Sequence, residues 1–262
     1  MIARQFDPVA ELQSAFSVLM KNYSIAAIPL VALIVCFTLF GTVLVVAGGT
    51  ALLSGGFTDL SSNPMALVQV ITASLAWFGL VGLVAFIISM VANGAAVAAS
   101  ESAWQSGTAD VGGGFSRALA KLGDLVVLAI ALGFMCIVIG WTGIGLIAIG
   151  FLMLYTLPAV IVGGESAFQA IGTSWNMATK NAGPTFAAFI GIILVYFVGL
   201  IVNMIIGHIP ILGWIAQLVI NALLSVYVSL VTVRFYDLLR GSGLPMASAT
   251  LAPPPPPPTP VS

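Results

Sequence analysis

The sequence predicts an all-α integral membrane protein with six transmembrane helices. Hydrophobic residues make up 60% of its 262 positions, only 6% are charged, and the mean hydropathy is +1.18. Soluble domains carry charges on roughly a quarter of their residues, so lipid is the expected surrounding of most of this chain. Two further observations support this class. Long uncharged segments alternate with short polar ones, and the bases occur only in every second polar segment.

The number of spans follows from the lengths of the uncharged segments, because a helix needs about 20 apolar residues to cross a bilayer. The uncharged run 125–162 exceeds what one helix requires. We divide it at Gly140–Gly143, a turn whose Trp141 suits the membrane interface, and a single long tilted helix is the alternative. The six predicted spans are 25–48, 66–92, 125–140, 144–162, 184–206 and 211–233.

The first span has a second interpretation, because an apolar segment near the start of a chain can be a cleaved signal peptide. The apolar run begins only at Ile25, and two acids, Asp7 and Glu11, precede it. A signal peptide has a basic segment in that place, so a retained transmembrane helix is favoured.

Three polar segments are predicted to lie outside the spans. Residues 49–65 are rich in Gly, Ser, Asn and Pro and are typical of a loop. The longest polar loop is expected at 101–124, with a hinge at Gly112–Gly114. The tail 242–262 contains six consecutive prolines, Pro253–Pro258, which favour an extended polyproline II rod without a core. We interpret it as a disordered tail, and a binding site for a proline-reading partner is the alternative.

The distribution of bases predicts the topology. Every Lys and Arg lies before the first span, between the second and third, between the fourth and fifth, or after the sixth. Cytoplasmic segments carry an excess of these residues, so both termini are predicted to lie in the cytoplasm. The seven bases are Arg4, Lys21, Arg117, Lys121, Lys180, Arg234 and Arg240.

A short amphipathic helix is predicted within Glu165–Asn181, where Phe168, Ile171, Trp175 and Ala178 share one face. Related patterns occur 159 and 56 positions earlier in the chain. About three cytoplasmic-side interfacial helices are therefore expected, each followed by two spans, as a threefold repeat of a helix plus a hairpin. The alternative is that any basic amphipathic helix next to a membrane has this pattern.

These segments supply the residues expected to anchor the protein at the membrane interface. Aromatic side chains favour that depth, and bases favour anionic lipid headgroups. The predicted anchors are Phe16, Lys21, Phe115, Arg117, Lys121, Trp175, Lys180, Arg234 and Arg240.

The predicted spans contain no Asp, Glu, Lys, Arg or His. Ionisable residues inside a membrane usually mark proton or ion chemistry, so their absence from the spans disfavours a proton-coupled transporter, a pump and an intramembrane protease. We predict no catalytic residue, no metal site and no cofactor, and the net charge of −1 disfavours nucleic acid as a partner. The candidate polar cluster consists of Tyr155, Asn203, Gln217 and Asn221, whose roles are helix packing or, alternatively, substrate binding.

One stretch resembles a known family. Leu157-Pro158-Ala159, Gly164-Glu165, Ala167, Ser174-Trp175 and Lys180 stand in the order found in the membrane domain that accompanies bacterial glycerophosphoryl diester phosphodiesterases, and in related multi-span proteins. The closing segment VTVRFYDLLRG is also similar. The likeness extends over about 110–241. This chain lacks the soluble phosphodiesterase barrel, so the resemblance implies a membrane module without the hydrolytic activity.

The sequence therefore predicts a multi-pass protein of a prokaryotic cytoplasmic membrane that is not an enzyme. We expect a structural or accessory module for a lipid-related or envelope partner, in contact with membrane lipid and with a membrane protein. The alternative is a small-molecule or lipid transporter that uses the uncharged cluster of Tyr155, Asn203, Gln217 and Asn221. The sequence makes no prediction about oligomeric state.

Overall fold

The computed structural model describes residues 7–53, 64–209 and 212–241, and gives 47–53 and 64–76 as backbone alone. The proline-rich tail, Arg4 and most of the predicted loop 49–65 lie outside the described residues. Within them, all regular secondary structure is helical. The helices are α1 Pro8–Lys21, a short 3-10 helix Tyr23–Ala26, α2 Ala27–Leu53, α3 Pro64–Ser106, α4 Val111–Ala120, α5 Leu122–Val138, α6 Gly143–Leu152, α7 Thr156–Ile161, α8 Ala167–Lys180, α9 Ala182–Ile206 and α10 Leu212–Arg240.

Several of these helices are long and apolar enough to cross a membrane. Five segments qualify by length and composition among the described residues. A sixth is obtained if α4 and α5, which meet at a bend of 74°, are counted together as one span. The chain is therefore an all-helical protein with the helices of an integral membrane protein. The five segments are Tyr23–Val46, Trp77–Ser106, Gly143–Ile161, Ala182–Ile206 and Leu212–Arg240.

The segment 101–124 differs from its prediction as the longest polar loop. Helix α3 continues to Ser106 and α4 begins at Val111, so only 107–110 is non-helical before Lys121. The prediction was wrong because small residues such as those before position 101 prolong the helix beyond its apolar part, which hydropathy alone does not detect.

The predicted hinge at Gly112–Gly114 is also helical. Asp110 caps α4 by accepting a hydrogen bond from Gly113 N at 2.8 Å, which holds the glycines in the first turn. Gly114 allows α4 to approach α3, since a Cβ there would lie 2.7 Å from Ala95 O. The glycine is therefore required for close packing of the two helices.

The uncharged run 125–162 divides at the turn that the sequence predicted. Helix α5 ends at Val138 and α6 begins at Gly143. Thr142 caps α6, with its Oγ1 accepting a hydrogen bond from Gly145 N at 3.0 Å. The single long helix considered as an alternative is therefore not formed.

A second break, which the sequence did not indicate, separates α6 from α7 at 153–155. Ser174 of α8 bridges it, because its Oγ donates to Leu152 O at 2.7 Å and accepts from Tyr155 N at 3.1 Å. Pro158 then lies in the first turn of α7, where a helix tolerates a residue without an N–H. A hydroxyl from a neighbouring helix thus replaces backbone bonds lost at the break.

We call α1, α4 and α8 the lead helices, because each precedes a pair of longer helical segments. Each lead helix contacts the helix that comes just before it, if the end of the chain is treated as joined to its start. Helix α4 contacts α3, α8 contacts α7, and α1 contacts α10 at the far end of the chain. A glycine with positive φ follows each of those three partners, at Gly107 (80°), Gly164 (71°) and Gly241 (83°). The end of the bundle where these contacts occur carries the ion pairs described below, and we call it the charged end.

The lead helices expose their largest apolar side chains and bury mainly small ones, apart from Val18 and Leu19 of α1. The predicted apolar face of α8 is divided, since Ala178 is fully buried whereas Phe168 is 73% and Trp175 is 49% exposed. At the positions matched to Trp175 in the other lead helices, Phe16 and Leu119 are each 57% exposed. Packing against the bundle therefore uses mainly the small residues of each lead helix.

Candidate functional site

Two amides of α10 lie on one face of the helix, as their spacing of four residues predicts. Asn221 Nδ2 donates to Gln217 O at 2.8 Å, and Gln217 Nε2 donates to Asn203 O at 3.1 Å. Only an NH₂ group can donate to a carbonyl, so these bonds define which end of each amide is nitrogen. The amide oxygens of Gln217 and Asn221 therefore remain available as acceptors.

Tyr155, the fourth member of the predicted cluster, lies elsewhere. It is fully buried, and its hydroxyl is 3.2 Å from Thr185 Oγ1 near the start of α9. Asn203 is near the end of the same helix, about 27 Å further along the axis at about 1.5 Å per residue. The structure thus brings together Asn203, Gln217 and Asn221, which we call the amide site, and places Tyr155 in a separate contact between helices.

A cavity of about 850 Å³, open on one side, lies between α2, α3 and α10, beside the amide site; its lining residues Phe37, Leu44 and Trp214 are 61%, 64% and 74% exposed. Ligand pockets typically measure about 300–1,000 Å³, so this volume suits a small amphiphile or a lipid chain. No described lining residue is ionisable, and most are apolar. These residues are Leu33, Ile34, Phe37, Thr38, Phe40, Gly41, Leu44, Phe78, Trp214, Gln217, Leu218 and Asn221.

A second cavity, of about 350 Å³, adjoins the same amides. Gln217 and Asn221 line both cavities, whereas Asn203 and His208 line only the smaller one. His208 is exposed at the turn after α9, and its Nδ1 donates to Met204 O at 2.7 Å. Polar groups are therefore concentrated on the side of the smaller cavity, and the larger cavity is mainly apolar.

Asn203 contributes an unsatisfied atom to the amide site. Its Oδ1 is buried and has no hydrogen-bond partner in the part of the chain that the structure describes. Buried polar atoms in proteins are nearly always hydrogen-bonded, because leaving one unpaired costs about 1–3 kcal/mol. A molecule with a hydrogen-bond donor would satisfy this oxygen.

The charged end has the opposite character. Arg234 Nε lies 2.7 Å from Glu11 Oε2, and the two side chains are only 3% and 13% exposed. The Arg234 guanidinium also lies 5.1 Å from the centroid of the Trp104 ring, whose Nε1 donates to Leu230 O at 3.1 Å. Arg234 was predicted as an interfacial anchor, but it is buried and joins α1, α3 and α10 inside the protein.

Sequence reasoning missed the acids that bind these arginines. Glu11 pairs with Arg234, and Glu101, 8% exposed, pairs with Arg117. Neither acid has a base within one helical turn of its own sequence, and this is the signal that could have indicated a partner from another helix. The identity of the partner still depends on how the helices pack.

The other predicted anchors differ in how far the protein itself engages them. Lys21, Lys180 and Arg240 are exposed. Arg117 is 47% exposed and binds Glu101, whereas Lys121 Nζ donates to Gly164 O at 2.8 Å and is 3.4 Å from Asp124 Oδ2. Phe115 is exposed by 36% of its surface. These side chains all remain accessible to lipid headgroups, unlike Arg234.

The chemistry open to the amide site is binding by hydrogen bonds. Within the described ranges, His, Cys, Asp and Glu form no group of three or more that could hold a metal ion. The three amides neither lose nor gain protons, so they can orient a neutral molecule but do not supply an acid, a base or a nucleophile.

Comparison of the chain with protein-family models, curated proteins and solved structures finds no match. Inferences about function therefore rest on the geometry of the amide site and of the charged end.

Proposed function

We propose that this chain is a membrane module that binds a lipid-like amphiphile, and that it serves a lipid-related or envelope partner as an accessory protein without enzymatic activity. The observation that carries the proposal is the cavity of about 850 Å³ whose apolar wall ends at Gln217 and Asn221. An apolar volume with a few polar groups at one side has the lining expected of a site for an amphiphile.

The proposed topology has six spans, with both termini in the cytoplasm of a prokaryotic cell. Helix α5 supplies the sixth crossing, and α4, which meets it at a bend of 74°, lies along the interface. In this arrangement the charged end faces the cytoplasm, which agrees with the excess of bases expected there. The exposed Phe16, Leu119 and Trp175 then lie at the interface, where they can contact lipid.

We also propose that the chain is a threefold repeat, and the helix caps support this. Asp7, Asp110 and Ser166 are the N-caps of the three lead helices. Asp7 stands 159 positions and Asp110 stands 56 positions before Ser166, the displacements that align the apolar patterns in the sequence. Ala15, Ala118 and Ser174, which correspond by the same displacements, are each fully buried.

Two apolar grooves support the repeat independently. One lies between α1 and α9, and the other lies between α4 and α2. Leu12 and Phe16 of α1 line the first groove. The residues of α4 that correspond to them, Phe115 and Leu119, line the second. Four residues of α2 also line the second groove, each 163 positions before its counterpart in α9. They are Ile28, Val31, Ala32 and Val35, matched to Gly191, Leu194, Val195 and Val198.

Binding can be tested by native mass spectrometry of the full chain extracted in a mild detergent. A Cβ at Gly41 would meet no atom within 4 Å, and Gly41 lines the large cavity, so Gly41→Phe should fill it without displacing backbone. Gly79→Phe is the matched control, because Gly79 is equally open but is not a lining residue. We expect wild type and Gly79→Phe to retain an amphiphile that Gly41→Phe has lost. Equal retention by both variants would contradict the proposal.

Topology can be tested by labelling single cysteines with a membrane-impermeant maleimide in a variant without Cys36 and Cys136. Trp141→Cys and His208→Cys should react from outside intact spheroplasts, since both positions are exposed at turns opposite the charged end. Asn176→Cys, exposed on α8, should react only after the membrane is opened. The reverse pattern would contradict the topology.

A carrier is the second candidate, and the shared lining of the two cavities favours it. Gln217 and Asn221 line both, so a molecule could pass from the large cavity towards the turn at His208. Substituting both amides with Leu distinguishes the possibilities. Loss of solute uptake or release at an unchanged folded amount would indicate a carrier, whereas a lower folded amount alone would indicate amides used for packing.

A further inference from the structure

The amide site offers both hydrogen-bond donors and acceptors to a ligand, and one of its acceptors is buried. Gln217 and Asn221 each use one N–H on a backbone carbonyl, and both of their amide oxygens remain as acceptors. Asn203 Oδ1 is a third acceptor, and it is buried without a partner in the described chain. A ligand that satisfies this buried oxygen must therefore bring a hydrogen-bond donor, and the second N–H of Gln217 or Asn221 can bind an acceptor on the same ligand.

The lack of charge around the large cavity further restricts the chemical class of the ligand. Its described lining residues include neither a cation to balance a phosphate or carboxylate nor an acid to balance an ammonium group. Burying an ion without a partner is strongly unfavourable, because the ion loses its hydration. The ionisable His208 lines only the smaller cavity, where it is exposed at the turn after α9 and its Nδ1 is bound to Met204 O. A head group held at Gln217 and Asn221 is therefore neutral, and a hydroxyl is the simplest neutral group that both donates and accepts.

We propose that the amide site binds a neutral, hydroxyl-bearing amphiphile with a long apolar chain. This inference rests on the proposed function and assigns the class of its ligand. The hydroxyl lies among Asn203, Gln217 and Asn221, donates its single proton to one of their free oxygens, and accepts from a remaining amide N–H. The chain lies in the large cavity along α2, where the lining from Leu33 to Leu44 extends about 16 Å at about 1.5 Å per residue.

The test uses three photoreactive probes of equal chain length, namely a long-chain alcohol, the fatty acid and the alkane. Each carries a diazirine in the chain and a terminal alkyne for detection, and is added to the full-length protein in nanodiscs. We expect the alcohol to label α2 and α10 at least about tenfold more than either other probe, the discrimination that one good hydrogen bond supplies. Excess unlabelled alcohol should abolish this labelling.

Variants separate the head group from the chain. Asn221→Leu and the double variant Gln217→Leu, Asn221→Leu should lose the preference for the alcohol and keep the weaker labelling by the alkane. Asn221 is exposed and bonds only to its own helix, so the single variant is expected to fold even if the double variant does not. Asn176→Leu is the matched control, because its amide also bonds only within its own helix, on α8.

The outcomes distinguish this inference from the function on which it rests. If alcohol and alkane label equally, or if the fatty acid labels best, the assignment of a hydroxyl head is wrong while the cavity remains a binding site. If Gly41→Phe reduces none of the three labels, the binding function itself is wrong. Loss of the alcohol preference in the two Leu variants, but not in Asn176→Leu, supports both.

Discussion

The two ends of α10 use polar side chains in opposite ways. Towards the C-terminal end, Arg234 is buried and is held by Glu11 and by the ring of Trp104. About 20 Å from Arg234 along the helix, Asn221 begins an uncharged region in which amide oxygens accept no hydrogen bond from the described residues. Polar atoms that already have hydrogen-bond or ionic partners within the protein hold its helices together. Polar atoms without such partners are available to a ligand.

The comparison of the two ends predicts the largest loss of stability for a substitution of Arg234. Arg234→Met leaves the Glu11 carboxylate in a largely buried site without this partner, which should lower the free energy of unfolding by about 3–5 kcal/mol. The measurement is unfolding of the purified protein in detergent, followed by helical circular dichroism. Arg240→Met is the matched control on the same helix, and it should cost about 1 kcal/mol or less because Arg240 is exposed. Equal losses in both variants would mean that burial does not distinguish them.

The second effect tests how closely the lead helices pack at the charged end. Gly114→Ala places a Cβ against Ala95 O at 2.7 Å, so α4 must shift and stability should fall by about 1–3 kcal/mol. Gly112→Ala is the control, since its Cβ would meet only Asp110 Oδ1, at 3.8 Å. That variant should be neutral, or more stable by up to about 1 kcal/mol, because Ala favours helix more than Gly does. The same unfolding assay checks both, and a stable Gly114→Ala would show that α4 does not need this contact.

The third effect compares two ion pairs at the same end. Arg117 is 47% exposed, so its bond with Glu101 is weakened by solvent and should contribute only about 1 kcal/mol or less. A double-mutant cycle with Arg117→Gln and Glu101→Gln measures this coupling. It should decrease at high salt, whereas stability due to the buried pair of Arg234 and Glu11 should not. A coupling as large as that expected for the buried pair is the result that contradicts this ranking.

The smallest effect on stability is expected at the amide site. Gln217→Leu and Asn221→Leu should each change the free energy of unfolding by less than about 1 kcal/mol, because amide bonds between membrane helices are individually weak. The preference for the alcohol probe should nevertheless be lost. A destabilisation as large as that of Arg234→Met would instead assign these amides to packing, and would remove the contrast between the two ends.

The presence of long apolar helices was predictable, because the long uncharged runs of this chain suit a lipid surrounding. The turn at Gly140–Gly143 and the shared face of Gln217 and Asn221 follow from local sequence, and the structure has both. The break at 153–155 was not predictable, because the hydroxyl that stabilises it belongs to Ser174 on another helix. Local patterns do not specify a bond formed between distant segments.

The members of the candidate site were also predictable only in part. Polar residues inside apolar spans are few, so Asn203, Gln217 and Asn221 are candidates for a polar site on sequence alone. The same criterion selects Tyr155, but the structure places it in a different contact, beside Thr185. Spacing along one helix relates two of these residues, but only the antiparallel packing of α9 against α10 adds Asn203 to the pair.

Composition alone thus determines that this chain is helical and suited to a membrane, because too few charged residues are present to cover a soluble surface. The roles of individual polar residues are decided by packing. Arg234 and Arg240 are six positions apart on one helix with the same side chain, yet one is buried against Glu11 and the other is exposed. Burial depends on which helices surround a residue, and the neighbours of α10 come from both ends of the chain.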